Sequence, residues 1–189
     1  MTSKEKLLEV TFNEIYENGY YSTSVDKILK KAKMNKGSMY HYFKSKKELV
    51  LSVIDVHIYG YINSKYSVIL DVNENYVDSI FKVLKNTDSF NFIYGCRLNS
   101  LVQELSHQDD DFKIALEKVF FRFEEIFEEA LTKAKEQDEI EHNNIKQLAI
   151  YVVASIQGCL SSAQKSQDGN IFENCILQLE HYFNQIKKK

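Results

Sequence analysis

The sequence predicts an all-α fold, with an N-terminal three-helix helix-turn-helix head and a C-terminal helical body. Three observations predict it. The 189 residues contain no proline and six glycines, and so few breakers favour long helices over a turn-rich β fold. Apolar residues recur at i, i+3 and i+4. Ser, Thr, Asn or Asp stands where several of these runs begin, as helix N-caps require. With 44% hydrophobic and 27% charged residues, the composition is that of a folded globular chain.

The elements follow in order. Residues 3–18 place Leu7, Leu8, Val10/Thr11 and Ile15 on one helical face, and Gly19 closes the run as a glycine past a helix end does. Thr23 or Ser24 caps a second helix with Asp26 in its first turn and Val25, Ile28, Leu29 and Ala32 as its buried stripe. After a short turn at 33–35, Asn35 caps a third helix, "KGSMYHYF", whose Met39 and Phe43 are four apart and face inward. Ser45, with Glu48 three residues on, forms a capping box for a long fourth helix running to about Leu70. Further helices are expected at about 74–86, about 95–107, 110–136, 143–167 and 170–187, with "SQDGN" (166–170) as the last break.

The net charge of −3 hides an asymmetry: residues 25–50 hold eight Lys against two acids. A basic patch on a mildly acidic chain points to a polyanion bound at one end. The opening "MTSKEKLLEV" has charges among its apolar positions and does not read as a signal peptide, and no window approaches a membrane span. Cys96, Cys159 and Cys175 are widely spaced with no CxxC, which predicts reduced thiols in a cytoplasmic protein and no disulfide framework. The five His are scattered, and there is no HExxH, GxSxG, P-loop or GxGxxG strand motif. No catalytic set, metal site or cofactor is therefore expected. The acids at 109–111 beside His107 read as a helix start, not as metal ligands.

Helices two and three, joined by a tight turn, make a helix-turn-helix, whose second helix lies in the major groove of DNA. With Met39 and Phe43 inward, the outward positions are Lys36, Gly37, Ser38, Tyr40, His41 and Tyr42. Lys36, Tyr42 and Lys46 are assigned to phosphates, Lys46 at the start of the fourth helix where free N–H groups also attract phosphate. Thr23 and Ser24 are candidates for another phosphate and Lys27 for added charge; plain capping is the other role open to Thr23 and Ser24. Ser38, Tyr40 and His41 are assigned to base edges or the thymine methyl.

"TSVDKILKKAKMNKGSMYHYFKSKKEL" (23–49) resembles the DNA-binding signature of the TetR/AcrR family of bacterial repressors. Thr23, Val25, Ile28, Ala32, Lys36, Gly37, Tyr40, Tyr42, Phe43, Lys46 and Leu49 fall where that pattern wants them. "GCRLNSLVQELS" (95–106) is similar to a segment of one large subgroup. One departure is Lys33, where the family usually has a glycine; either Lys33 takes a left-handed conformation at a cost on the order of 1 kcal/mol, or the turn closes differently. The resemblance implies a homodimer with a reading head (1–46) and an effector-binding and dimerisation body (47–189). A small molecule entering the body spreads the heads and releases the operator.

Helices eight and nine are the dimer candidates. Leu148, Val152, Ile156 and Cys159 form one stripe beside small residues such as Ser155. Ile171, Cys175, Leu179, Tyr182 and Phe183 form another apolar face. Paired about a twofold axis these would make a four-helix bundle; the bland alternative is that both faces complete the subunit's own core. Twelve Phe and twelve Tyr suggest an apolar effector cavity lined by Tyr61, Tyr66, Phe90, Phe92, Cys96, Phe120, Phe123 and Phe127. The effector is expected to be apolar or aromatic.

The sequence thus predicts a one-component transcriptional regulator, most simply a repressor, that binds a near-palindromic operator as a homodimer and lets go on binding a small effector. The alternative is a helical protein–protein interaction module whose basic patch is incidental.

Overall fold

The computed structural model describes residues 1–72 and 75–188. Helices α1 (Ser3–Asn18), α2 (Val25–Ala32), α3 (Lys36–Tyr42) and α4 (Lys46–Val53) are followed by a π-helical segment (Ile54–Tyr59), α5 (Gly60–Tyr66) and a 3₁₀ turn (Ser67–Leu70). Then come α6 (Tyr76–Lys85), α7 (Arg97–Leu105), α8 (Asp110–Glu136), α9 (Ile145–Ser166) and α10 (Gly169–Ile186). Position 74, where the fifth expected helix begins, lies outside the described residues.

The caps explain the boundaries. Thr2 and Glu5 form a reciprocal capping box on α1. Ser24, Asn35 and Ser45 each accept the backbone N–H three residues on, at the starts of α2, α3 and α4. Glu48 reaches back past Ser45 to the N–H of Lys44, at 2.7 Å. Lys33 ends α2 in the left-handed conformation (φ 54°, ψ 47°), with the Met34 N–H returning 3.0 Å to the Leu29 carbonyl.

The single helix expected from Ser45 to Leu70 is interrupted. Its buried residues include Ile54, Ile58, Ile62 and Tyr66, a repeat of four. On a helix of 3.6 residues per turn that repeat drifts by about 40° at each step. The wider π turns over 54–59 offset the drift and keep one side facing inward.

The chain divides into two units, Met1–Tyr61 with Arg97–Val119, and Ile62–Cys96 with Phe120–Lys189. In the first, α1 packs on α2 and α4, and α2 on α3. Leu7, Ile28, Ala32, Met39, Leu49 and Val53 are fully buried there. In the second, α9 and α10 pack along each other and α10 also meets α6. The start of α6 is held by Glu139, whose carboxylate accepts the Tyr76 and Val77 N–H groups at 2.9 and 3.0 Å. The break before α10 needs a glycine for space: a Cβ on Gly169 would stand 2.8 Å from the Phe92 ring.

Cys159 and Cys175 are joined as a disulfide across α9 and α10, with their Cα atoms 5.7 Å apart. This corrects the expectation of three free thiols. Residues sixteen apart in sequence face each other because the hairpin folds one helix back on the other, which spacing alone does not reveal. Cys96 is the free cysteine.

Candidate nucleic-acid interface

The seven-residue α3 turns one side to the core and one to solvent. Met39 and Phe43 are buried, while Lys36, Gly37, Tyr40, His41 and Tyr42 are exposed and Ser38 is half-buried. The His41 ring meets Tyr42 edge-on at 4.9 Å. The Ser38 hydroxyl donates to the Asn35 side chain at 3.0 Å, which leaves its lone pairs for an incoming donor.

The lysines differ in what they already touch. Lys36 pairs with Asp26 at 3.0 Å, both well exposed, and the hydrogen bond to that carboxylate raises the Lys36 pKa. A surface pair of this kind contributes roughly 0–1 kcal/mol, so a phosphate can displace it. Lys27 and Lys31 both reach the buried Glu14 carboxylate. Burial alone would raise the Glu14 pKa, but the two ammoniums outweigh it and hold it below its ordinary value.

Thr23 is a correction. It is fully buried, and its hydroxyl donates to the carbonyls of Gly19 (2.8 Å) and Glu14 (3.2 Å). Its side chain closes the α1–α2 turn and does not reach a phosphate; Ser24, exposed beside it, is the cap. Lys46 is turned inward: its ammonium donates to the Tyr20 carbonyl and lies 3.9 Å from the centroid of that ring. Burial lowers the Lys46 pKa and, with the neighbouring Tyr21 and Asp109, raises that of Tyr20. Lys47 bridges Asp109 (2.7 Å) and Asp111 (2.6 Å). Asp109 also accepts the Asp111 and Phe112 N–H groups at the start of α8, so these acids have helix-start work to do.

The expected effector residues fall into separate places. Tyr61 belongs to the first unit, under the Arg97 guanidinium at 3.8 Å. Tyr66, Phe123 and Phe127 are buried in mutual ring contact, with centroids 4.6–5.7 Å apart. Phe90 and Phe92 gather on Phe172 at 4.9 and 5.9 Å, a partner the sequence reading missed. Phe120 and Cys96 are half-buried.

The dimer residues divide too. Leu148, Val152, Ile156, Cys159, Leu179 and Phe183 are buried in the subunit's own core and cannot face a partner, which corrects that part of the assignment. Ser155, Ile171, Cys175 and Tyr182 are half-buried. The apolar side chains these helices expose are Ile150, Tyr151, Ala154 and Leu177. Among the described residues no helix is long and apolar enough to cross a membrane.

Comparison with known proteins agrees with this head. Residues 7–53 match the model of bacterial regulatory proteins of the tetR family, and residues 72–178 match the LmrA/YxaF-like transcriptional regulator C-terminal domain. A helix-turn-helix transcriptional regulator from the lacX 3′ region of Lactococcus lactis is 32% identical over 99% of this chain and 96% of its own length. The repressor NemR of Escherichia coli is 27% identical over 61% of this chain and 60% of its own. The crystal structure of reduced E. coli NemR superposes with a TM-score of 0.86 at 24% identity, covering 100% of this chain and 98% of that one. A TetR regulator from Chloroflexus aurantiacus gives 0.87 at 19%, covering 98% and 96%. The chain belongs to the TetR family of bacterial regulatory proteins. It is a DNA-binding transcriptional regulator with an all-α fold.

Proposed function

We propose that two copies of this chain, joined through the exposed faces of α9 and α10, present two α3 helices to successive half-sites of a near-palindromic operator. Residues 1–46 act as the reading head, and residues 47–189 as the effector-binding and dimerisation body. Tyr40, His41 and Ser38 read base edges; Ser24, Lys27, Lys36 and Tyr42 hold phosphates, with Gly37 admitting the backbone closely. A small apolar or aromatic effector, bound in the body, draws the heads out of register. Half-sites lie about one helical turn of DNA apart or a multiple of it, so a shift of a few ångströms at one head suffices. Repression is favoured because NemR carries that name.

The observation that carries this reading is the division of α3, with Met39 inside and Tyr40, His41 and Tyr42 outside. The test is a mobility shift with the DNA upstream of the coding region, across a salt series. Retention is expected, with Lys36→Gln and Tyr42→Ala weakening it. Failure to retain that DNA even at low salt would overturn the proposed operator contacts of α3.

A further inference from the structure

Helix α7 holds the first unit at two points seven residues apart, on one side of the helix. At its start, the Arg97 guanidinium is surrounded by the rings of Tyr61 (3.8 Å), Phe12 (5.4 Å) and Tyr16 (5.7 Å). Two turns later the Glu104 carboxylate accepts the backbone N–H groups of Tyr20 (2.9 Å) and Tyr21 (3.0 Å). The segment that receives it is shaped for it. Gly19 has φ 82°, which disfavours any side chain, and a Cβ there would stand 3.2 Å from both carboxylate oxygens.

The same peptide is held from other sides. Lys46, in the first turn of α4, donates to the Tyr20 carbonyl. The Tyr20 ring meets Phe112 of α8 edge-on at 5.2 Å. One residue between α1 and α2 is thus gripped by α7 through its N–H, by α4 through its carbonyl and by α8 through its ring. Between the two grips of α7 lies a pocket of about 90 Å³, open to solvent on one side and lined by Ile15, Ile58, Ser100 and Leu101 among others. Leu98, Leu101 and Leu105 bury the apolar side of α7, and its polar ends add the bonds to the Tyr20 and Tyr21 peptides and the rings around Arg97. Charge-assisted bonds from a carboxylate to two N–H groups are among the stronger available.

We propose that Glu104 is a positioning residue for operator recognition. Its carboxylate fixes the α1–α2 junction and hence the angle at which α2 and α3 are presented. The chain enters α7 directly from Cys96, the last residue of a segment of the second unit. The proposal rests on the reading of this chain as an operator-binding regulator, and deepens it.

The experiment compares the wild-type protein with Glu104→Gln and Glu104→Ala on the upstream DNA and on an unrelated duplex, over a salt series. Amide hydrogen exchange at Tyr20 and Tyr21 is followed without DNA. Glu104→Ala is expected to lose about ten-fold or more in operator affinity with the salt slope unchanged, since no phosphate contact is removed. Binding to the unrelated duplex is expected to be equal to wild type, and exchange at the two amides faster. Glu104→Gln keeps an acceptor oxygen, lacks the charge, and is expected to fall between. Equal operator affinity in all three proteins, or unchanged exchange at Tyr20 and Tyr21, overturns the proposal while leaving the regulator reading intact. If Glu104→Ala does not fold, the Gln variant decides on the same two readouts. Wild-type protein that shifts no DNA removes the reading itself.

Discussion

The Lys46 ammonium lies over the Tyr20 ring, 3.9 Å from its centroid, and donates to the carbonyl of the same residue. A lysine at the start of α4 has the place of a phosphate contact, yet this one is occupied within its own subunit. The two roles leave different marks. A phosphate contact contributes roughly 0.9 to the slope of log K against log salt concentration, and an internal contact contributes nothing. Lys46→Ala is expected to weaken operator binding with the slope unchanged, whereas Lys36→Ala reduces the slope by about one. A reduced slope at Lys46→Ala would return that residue to the phosphates.

Lys33 ends α2 with φ 54° and ψ 47°, a conformation that costs an ordinary side chain about 1–2 kcal/mol. Glycine adopts it freely, though its more flexible unfolded chain loses more entropy on folding. Lys33→Gly is therefore expected to stabilise the protein by about 1 kcal/mol, raising Tm by roughly 2–4 °C. A lowered Tm on thermal unfolding would show that the Lys33 side chain makes a compensating contact.

The helices, most of their caps and the sidedness of α3 were legible because each is written locally. A cap and a periodic stripe lie within a few residues of each other, as Asn35, Met39 and Phe43 do. What was not legible depends on distant partners. Thr23 looks like a cap until the fold brings the Gly19 and Glu14 carbonyls to its hydroxyl. The Glu104 grip joins residues 84 apart in sequence. The stripe Leu148, Val152, Ile156 was correctly apolar, but periodicity gives a buried face without saying whether a core or a partner covers it. The candidate effector rings were chosen by type, and type does not separate a lining from a packed cluster such as Tyr66, Phe123 and Phe127.

The Cys159–Cys175 bond closes a loop of sixteen residues between α9 and α10. Loops of about this length are stabilised by roughly 3 kcal/mol in the chain-entropy account. In protein purified without reductant, a maleimide applied under denaturing conditions is expected to label Cys96 alone, and all three cysteines after reduction. Cys159→Ser is expected to lower Tm more without reductant than with it, since reduction removes the cross-link from the wild type too. Three labelled thiols without reductant would show the bond does not form.

Ala154 lies exposed on α9 beside Tyr151, which is 49% exposed, and its small side chain lets another helix approach closely. A charge placed there would be buried without a partner in a twofold pairing, and would be buried twice because the same patch meets itself. Ala154→Glu is expected to sediment as a monomer where the wild type sediments as a dimer, and to lose operator binding with it. A dimer that persists in the variant would place the interface elsewhere.

Glu14 is buried between the ammoniums of Lys27 and Lys31. Desolvation disfavours its charge, but the two cations prevail and its folded-state pKa lies below the ordinary 4.5. The folded state therefore binds fewer protons at this site than the unfolded chain. Stability from the pair is present above pH 4.5 and is lost as pH falls through the depressed value. Glu14→Gln removes the charge while keeping the shape, and both lysines are exposed enough to regain water, so the loss near neutral pH is expected to be about 1–2 kcal/mol. The gap between wild type and variant, measured by denaturant unfolding at a series of pH values, is expected to narrow steadily as the pH drops below 4.5. A gap that stays constant on acidification would mean that the carboxylate acts in the fold by its packing alone, not through its charge.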